Sequence, residues 1–226
     1  MKIDFHIHTN FSYDGLFPPK DIVEAAIKKN LDGICITDHG EVAGALEAVT
    51  LSDDILVIPG IEIKSLEGDI LGINVKEKIE EHLSAKETIE RIISLGGLAA
   101  IAHPFDFFLP FKKIEKFVNF FQEKGVAIEV SNASIFYNVL NDVAYKFCQD
   151  FNLPFIAGSD AHSPEFVGKT YIEIPRDNLS IGEILEEIKK RNCKVFSQRT
   201  SVLEKFAELL RRGVAKTNHY VKKGKI

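Results

Sequence analysis

Short apolar runs that end in histidine or in an acidic residue recur along this chain, and they constrain its fold more than any other feature. The first run, residues 3–9, contains His6 and His8. Because side chains alternate between the two faces of an extended strand, both imidazoles would face one pocket. A His-x-His pair is short, so it predicts a metal site only if the rest of the chain supplies partners.

Later predicted strands supply such partners at their carboxyl ends. These are Asp38 and His39 after the run 33–37, Glu62 after 55–60, His103 after 98–102, and Asp160 and His162 after 155–159. Five of the seven histidines therefore stand at the edge where parallel α/β folds gather functional groups. The other two, His82 and His219, lie among charged residues, and we expect both to be exposed to solvent.

Strands and helices are predicted to alternate along the whole chain. Apolar, β-branched runs predict strands near residues 3, 34, 56, 70, 98, 126, 155 and 194. Helical spacing of apolar residues predicts helices at 19–30, 86–95, 112–124, 137–151, 180–191 and 202–212. This repeat favours an α/β fold of the closed or distorted (β/α) barrel type over an open doubly wound sheet. Its functional site would lie at the C-terminal ends of the strands.

The length of the chain suits one α/β barrel with a short extension. Of its 226 residues, 45% are hydrophobic, which is enough for a sizeable core. We expect a single domain over residues 1–212 and a short basic tail over 213–226. From residue 211 to 225 there are six basic residues and no acidic one, although the net charge of the chain is −5. Such a tail could attract nucleic acid, but its shortness favours a solvated, partly disordered end.

The composition also bears on location and on the cysteines. No stretch approaches the roughly 20 apolar residues of a membrane span, and the chain enters a strand at its start, so we expect a cytoplasmic protein. Cys35, Cys148 and Cys193 are too few and too far apart for a disulfide framework and are predicted to be core thiols. Cys35 lies near His39 and could instead be a ligand, although its place inside an apolar strand favours burial.

Five motifs in a fixed order resemble those of the polymerase and histidinol phosphatase (PHP) domain family. They are His6-x-His8 followed by Thr9 and Asp14-Gly15, then Thr37-Asp38-His39, Gly60-Ile61-Glu62, Ala102-His103-Pro104 and Gly158-Ser159-Asp160-Ala161-His162. The resemblance runs from about residue 3 to residue 168. It implies a distorted (β/α)7 barrel, TIM-barrel-like, that holds two or three divalent metal ions. The compact form of the chain resembles the stand-alone metal-dependent phosphoesterase branch of the family.

The resemblance also implies a ligand set for each ion. His6, His8, Glu62 and Asp160 would surround the first ion, Glu62 and His103 would hold the second, and Asp14, His39 and His162 would hold the third. In many relatives the second ion has a further histidine in a Gly-His-Ile-Leu-Gly-like segment. Here Asp69 stands at that position. Asp69 could bind the ion through oxygen, which favours Mn, Fe or Mg slightly over Zn, or it could be a turn residue.

The implied chemistry is hydrolysis of a phosphoester by a metal-activated hydroxide. A water bridging two ions loses a proton readily, and the same ions bind phosphate oxygens, so no catalytic group beyond the metal ligands is required. Ser159 is predicted to be a turn or hydrogen-bonding residue. Candidate substrate contacts are Asn132, Lys64 and Lys169. The phenylalanines at 105, 107 and 108 could stack on a base or pack against the barrel.

Several functions remain open at this stage. The leading hypothesis is hydrolysis of phosphomonoesters or of phosphodiesters in short oligonucleotides, so the substrate would be a phosphorylated small molecule or a short nucleic acid. Histidinol-phosphate phosphatase is a narrower alternative. An amidohydrolase or TatD-like metal hydrolase also begins with His-x-His, but it lacks the Asp38-His39 and Asp160-x-His162 pairs. A noncatalytic module associated with nucleic-acid machinery is the third alternative, and the complete ligand set argues against it.

Overall fold

The structure, a computed structural model, describes residues 1–134, 139–198 and 200–222. Within these residues nine strands form one sheet with the order β7-β6-β5-β4-β3-β2-β1-β8-β9. The strands are β1 (Lys2–Ile7), β2 (Gly33–Ile36), β3 (Leu56–Lys64), β4 (Asp69–Ile73), β5 (Leu98–Ile101), β6 (Ala127–Asn132), β7 (Phe155–Gly158), β8 (Thr170–Glu173) and β9 (Lys194–Ser197).

Strands β1 to β7 curl into a nearly closed barrel. The ring closes between the carboxyl ends of β1 and β7, where Ile7 and Ala161 form a parallel bridge. There the backbone N–H of Asp160 donates to the carbonyl of His6 at 2.8 Å, and that of His8 donates to the carbonyl of Ala161 at 2.9 Å. This arrangement confirms the predicted distorted barrel of seven strands.

Gly158 permits the close approach of the two strands at this seam. A Cβ atom at residue 158 would lie 2.3 Å from Cβ of His6 and 2.7 Å from its backbone nitrogen. Any side chain would therefore push β7 away from β1. The glycine before the Asp160 motif thus holds two groups of predicted metal ligands next to each other.

Strand β4 runs against the other six strands of the barrel, which are mutually parallel. It pairs antiparallel with both β3 and β5. A β-hairpin needs only a short turn, and residues 65–68 form one between Lys64 and Asp69, with the Ser65 N–H donating to the Gly68 carbonyl at 3.0 Å. Because β4 is reversed, its first residue, Asp69, lies at the barrel end where the parallel strands finish.

The two remaining strands extend the sheet outside the ring. Strand β8 pairs antiparallel with the first residues of β1, and β9 pairs antiparallel with β8. The sequence predicted a strand near residue 194 but not β8. Strand β1 therefore pairs with β8 at its beginning and with β7 at its end.

Seven α-helices lie within the described residues. They are α1 (Pro19–Lys28), α2 (Ala43–Val49), α3 (Ala85–Ser94), α4 (Val118–Lys124), α5 (Val139–Phe151), α6 (Ile181–Lys189) and α7 (Val202–Lys222), and a 3₁₀ turn at Ile114–Phe117 precedes α4. Capping boxes fix the starts of α3 and α6, where a serine and a glutamate three residues later exchange hydrogen bonds. None of the helices in the described part of the chain is both long and apolar enough to span a bilayer.

Most helix predictions hold, with three differences. The predicted helix at 112–124 is a 3₁₀ turn at Ile114–Phe117 followed by the shorter helix α4. Helix α2 was not predicted, because seven residues with a glycine give too short a pattern. The predicted start of α5 at residue 137 lies outside the described residues. Helix α7 crosses the predicted domain boundary at residue 212 and continues to Lys222. Residues 213–222 therefore continue a helix, whereas the sequence favoured a solvated, partly disordered end; residues 223–226 lie outside the described residues.

The core consists mainly of the isoleucine-rich strands and the helix faces that cover them. Cys35 and Cys148 are fully buried in this core, and Cys193 is half-buried. Burial raises the pKa of Cys148 and Cys193 to about 12 and raises that of Cys35 as well. The prediction of core thiols is therefore confirmed for Cys35 and Cys148. Cys35 is in none of the metal-competent groups formed by the described residues.

Candidate metal centre

The carboxyl ends of the barrel strands bring eight of the nine predicted ligands into one cluster. Strand β1 and its end supply His6 and His8, β3 supplies Glu62, and the segments after β1, β2, β5 and β7 supply Asp14, His39, His103, Asp160 and His162. All are buried except His39, which is half-buried. Within the cluster, nitrogen and carboxylate oxygen atoms form three groups compact enough to hold a metal ion.

The first group consists of His6, His8 and Asp160. The Nε2 atoms of the two histidines are 3.0 Å apart, as expected for neighbouring residues on one face of a strand. Asp160 Oδ1 lies 3.3 Å from Nε2 of His8 and 3.7 Å from Nε2 of His6. Glu62 Oε2 adjoins the same atoms, at 3.2 Å from His6 and 3.1 Å from His8.

The second group is His6, Glu62 and His103. Here Glu62 uses its other oxygen, since Oε1 lies 3.3 Å from Nε2 of His103. The two oxygens of Glu62 thus face different histidines. This is the arrangement that a carboxylate bridging two ions requires.

The third group is Asp14, His39 and His162, with His8 beside them. Asp14 Oδ1 lies 3.2 Å from Nε2 of His162 and 3.6 Å from Nε2 of His39. Although these three buried atoms lie close to one another, none forms a hydrogen bond of acceptable geometry with a described residue. Buried polar atoms are normally paired, so three that converge without partners fit a cation well.

Two predicted ligands have a strained backbone. His103 has a φ of 28° and Asp160 a φ of 51°, in the left-handed region. Non-glycine residues adopt this region at a cost of about 1–3 kcal/mol, and such residues cluster at functional sites. In both cases the residue lies at or just beyond the end of a strand, and the turn carries its side chain toward the cluster.

A second layer of side chains orients the histidines. Glu129 Oε1 lies 3.0 Å from Nδ1 of His6, and Ser12 Oγ lies 2.9 Å from Nδ1 of His8. The carbonyl of Asp160 lies 3.0 Å from Nδ1 of His162. Such contacts fix which ring nitrogen faces the metal. The sequence analysis did not identify Glu129 or Ser12. A glutamate inside the apolar run 126–130 could have indicated a buried functional carboxylate.

Charge compensation inside the cluster is strong. Burial would raise the pKa of Glu62, but the charges of His39 and His6 hold it well below its usual range. Burial opposes protonation of His8 and His103, yet contacts with Glu62, and for His8 also with Asp160, raise the pKa of each to about 9. Burial and the charge of Arg212 lower the pKa of His162 to about 4.

Asp69, the ninth predicted ligand, lies beside the cluster. It lines the same cavity as Glu62 and His103 but belongs to none of the three groups. Burial and the negative charge of Glu62 raise its pKa, while the charge of His103 opposes this change. Asp69 reaches this end of the barrel because it is the first residue of β4, which runs antiparallel to its neighbours.

The three predicted substrate contacts occupy different places. Lys64 lines the cavity over the cluster. The amide of Asn132 is engaged, because its Nδ2 donates to Glu129 at 3.1 Å and its Oδ1 accepts from the Ser134 N–H at 2.8 Å. Lys169 lies away from the cavity and pairs with Glu204 of α7 at 2.5 Å.

The aromatic segment after His103 divides between core and rim. Phe105 packs edge-on against Phe147, with ring centroids 5.5 Å apart. Phe107 and Phe108 are 71% and 73% exposed, and Phe108 lines the cavity. Packing against the barrel therefore holds for Phe105, and stacking of the exposed Phe107 or Phe108 on a base stays a prediction.

Ser159 is not placed as a nucleophile. Its hydroxyl donates to Asp4 Oδ2 at 2.6 Å, and its N–H donates to Asp4 Oδ1 at 2.8 Å. Asp4 is fully buried, and burial raises its pKa to about 6 despite these hydrogen bonds. The predicted hydrogen-bonding role of Ser159 is consistent with this geometry.

Helix α7 lies across the mouth of the barrel, a position that sequence reasoning missed. Arg212 Nη2 lies 3.1 Å from Asp14 Oδ2, and Lys216 Nζ lies 3.9 Å from the same oxygen. His219 is half-buried beside Tyr13, so the expectation of an exposed side chain is wrong for this residue but holds for His82. The cavity beneath the helix has a volume of about 630 Å³.

Comparison with known families gives matches to two family models. Residues 4–93 match the PHP domain, and residues 139–193 match the PHP-associated family. The two matched ranges contain all the predicted ligands except His103, which lies between them. The first range covers β1 to β4, and the second covers α5, β7, β8 and α6.

Individual relatives extend this result. An uncharacterised protein of Methanocaldococcus jannaschii is 38% identical over 117 residues, which cover 46% of this chain and 68% of that protein. The probable histidinol-phosphatase of Thermotoga maritima is 25% identical over 225 residues, with coverage of 84% and 92%.

Among solved structures, a two-domain protein of Bacteroides vulgatus contains a predicted PHP-like metal-dependent phosphoesterase. It matches this fold with a TM-score of 0.76 at 24% identity. The match covers 88% of this chain, and the chain spans 65% of the length of that protein. At this level of identity the likeness establishes the fold.

Proposed function

Since this chain belongs to the PHP domain family, we propose that it is a metal-dependent phosphoesterase. Its ligands would be His6, His8, Asp14, His39, Glu62, Asp69, His103, Asp160 and His162, holding two or three divalent ions among Mn, Zn, Fe and Mg. The observation that carries the proposal is the convergence of Asp14 Oδ1, His39 Nε2 and His162 Nε2, all buried and without hydrogen-bond partners in the described part of the chain.

The donor set suits several divalent ions in one cavity. Imidazole nitrogen and carboxylate oxygen together accept Zn, Mn and Fe. Glu62 supports a shared centre, because its two oxygens face the first and the second group. Carboxylates as close as these repel one another unless cations offset their charge.

Divalent ions bound here would supply Lewis acidity toward phosphate oxygens and would make water a stronger acid. The chain's own residues would position the ions and the ester. Glu129 and Ser12 hold the rings of His6 and His8, so the Nε2 atoms of both face the cluster. The barrel walls exclude water from one side, and the cavity under α7 admits substrate from the other.

The cavity suits a small ester. Its volume of about 630 Å³ is within the range of pockets for small molecules. Its lining includes acidic and histidine ligands with Lys64, and also the apolar side chains of Phe108, Leu109 and Leu209. A phosphoester with an apolar or aromatic group fits this lining, and a short oligonucleotide is the second candidate substrate.

The test is hydrolysis by metal-stripped protein reloaded separately with manganese, zinc and magnesium. The substrates are p-nitrophenyl phosphate, bis-p-nitrophenyl phosphate, nucleoside monophosphates, histidinol phosphate and short RNA. We expect metal-dependent turnover, which His103→Ala and Asp160→Ala abolish. His82→Ala is the matched control, since His82 is exposed and outside the cluster, and it should retain full activity.

Each outcome of this panel has a definite meaning. Preference for histidinol phosphate would assign the activity of the Thermotoga relative, whereas preference for RNA would assign a nuclease. Turnover that survives either His103→Ala or Asp160→Ala would contradict a mechanism at a multinuclear centre. No turnover with any metal, despite stoichiometric metal binding, would overturn the phosphoesterase proposal.

A further inference from the structure

Two cations of helix α7 stand over the candidate metal centre. Arg212 and Lys216 are four residues apart, so they lie on one face of the helix. Arg212 Nη2 lies 3.1 Å from Asp14 Oδ2, and Arg212 Nη1 lies 3.8 Å from Asp160 Oδ2. The Lys216 ammonium lies 5.2 Å from the centroid of the Tyr13 ring, above its face. Both cations line the cavity.

The helix is anchored firmly in this position. Glu208, on the preceding turn, is buried and accepts the N–H of His162 and the hydroxyl of Ser163, both at 2.8 Å. Glu204 pairs with Lys169, the residue before β8. These bonds tie α7 to the segment that carries Asp160 and His162, so the distance between Arg212 and the metal ligands is fixed by the fold.

Within the described residues, Arg212 has N–H donors that no hydrogen bond uses. Of its five N–H donors, it uses one on Nη2 for Asp14 and one on Nη1 for Ser134 Oγ, at 3.5 Å. Its side chain is 20% exposed, and that of Lys216 is 43% exposed, so both can reach a molecule in the cavity. A guanidinium binds phosphate through two parallel N–H bonds, and an ammonium adds a point charge.

The partners of Arg212 point to its role. Arg212 is paired with Asp14 and Asp160, which are both proposed metal ligands. When divalent ions bind, they would offset the negative charge of these two carboxylates, which now attracts the guanidinium. A cation next to divalent ions then requires an anion. The anion that the proposed function brings to this place is the phosphate of the substrate.

We propose that Arg212 and Lys216 form a phosphate subsite that selects phosphomonoesters over phosphodiesters. This inference rests on the proposed function. A monoester carries a charge of about −1.5 to −2 at pH 7, whereas each diester phosphate carries one negative charge. Two cations above the metal centre complement the higher charge, and the bridged diester has fewer free oxygens for them.

The first test measures binding of inorganic phosphate to manganese-loaded protein by calorimetry. Arg212→Ala should weaken phosphate affinity on the order of tenfold to a hundredfold, and Lys216→Ala by a smaller factor. Arg211→Ala is the matched control on the same helix, because Arg211 faces Glu165 and Glu208 instead of the cavity. It should retain the affinity of the unaltered protein.

The amount of bound manganese distinguishes two roles of Arg212, recognition of phosphate and positioning of the metal ligand Asp14. Arg212→Ala should keep its bound manganese. Arg212→Lys retains the positive charge but loses the two parallel N–H donors of the guanidinium, so it should recover part of the phosphate affinity. Unchanged phosphate affinity in Arg212→Ala would overturn the subsite. So would a loss of manganese in parallel with phosphate, or a loss of equal size in Arg211→Ala.

Kinetics distinguish a failure of the subsite from a failure of the proposed function. In Arg212→Ala, kcat/KM for p-nitrophenyl phosphate should fall at least tenfold more than kcat/KM for bis-p-nitrophenyl phosphate. An equal fall for both esters would overturn the selectivity. If the unaltered protein binds phosphate through Arg212 but hydrolyses neither ester, the subsite stands and the phosphoesterase proposal fails.

Discussion

Glu129 lies 3.0 Å from Nδ1 of His6 through one carboxylate oxygen. Its other oxygen accepts the backbone N–H of His103 at 2.7 Å. A single buried carboxylate therefore orients one proposed ligand and fixes the strained backbone of another. Both histidines belong to the second group, so Glu129 should control the affinity of that group for its ion.

Replacement of Glu129 by glutamine should weaken metal binding about tenfold to a hundredfold, because a carboxylate behind a metal-bound histidine sets its tautomer and basicity. Titration of metal-stripped protein with a competing fluorescent chelator measures this change. Glu187→Gln is the control. Glu187 is also buried, but it lies on α6, where its carboxylate accepts hydrogen bonds from Arg176 and Asn192. Equal affinity in Glu129→Gln and the unaltered protein would contradict the role of Glu129.

Metal binding should release protons at neutral pH. In the metal-free protein, contacts with carboxylates raise the pKa of His8 and His103 to about 9, against the effect of burial. Both histidines are therefore protonated at pH 7, and metal binding requires the neutral ring. Apparent affinity should therefore rise as the pH is raised from 7 to 9. Calorimetry in buffers of different ionisation enthalpy counts the protons, and binding at pH 7 without release would contradict this prediction.

Removal of metal should destabilise the fold. Ions that bind only the folded state stabilise it by about 4 kcal/mol when the free ion concentration is about a thousand times Kd. For a domain of this size that corresponds to a rise in Tm of roughly 8–16 °C. Differential scanning fluorimetry of the protein with EDTA and after reloading with manganese measures the shift. Asp160→Ala should show a much smaller shift, and an equal shift would assign the stabilisation to ions bound elsewhere.

Asp69 should determine which metal the second group prefers. Asp69→His restores the nitrogen donor found in many relatives, so it should raise the affinity for zinc relative to manganese. Asp69→Asn keeps the size of the side chain and should weaken both ions. Competition titrations with the two metals give the ratio. A ratio that is the same in all three proteins would make Asp69 a turn residue without contact to an ion.

Most of the proposed ligands could be placed together from the sequence because they follow a local rule, whereas Asp14 was implied only by the resemblance to a family. His6 and His8 share a face through the period of the strand, and His39, His103 and Asp160 follow short apolar runs whose ends meet in a parallel barrel. Asp69 required the resemblance to a family, since strand periodicity carries no information on direction. The reversal of β4 became visible only in the pairing of β4 with β3 and β5.

Other parts of the site arise from contacts that sequence patterns do not encode. Arg212 and Asp14 are 198 residues apart along the chain, and nothing local in the segment after 202 indicates which face of α7 meets the barrel. Glu129 was missed because β6 is buried on both faces. Its sequence therefore has no alternation of polar and apolar residues to show which face Glu129 lies on. Strand β8, Thr-Tyr-Ile-Glu, was missed because it lacks the continuous apolar run that indicated β5 and β7, two strands of the same length.

A crystal structure of the manganese-loaded protein with anomalous-scattering data tests the proposed metal centre directly. We expect one peak among His6, His8 and Asp160 and another among Asp14, His39 and His162, each about 2.0–2.3 Å from the coordinating atoms. A third peak between Glu62 and His103 would complete the centre. Absence of anomalous density at all three groups, in a protein that binds manganese in solution, would contradict the proposed metal centre.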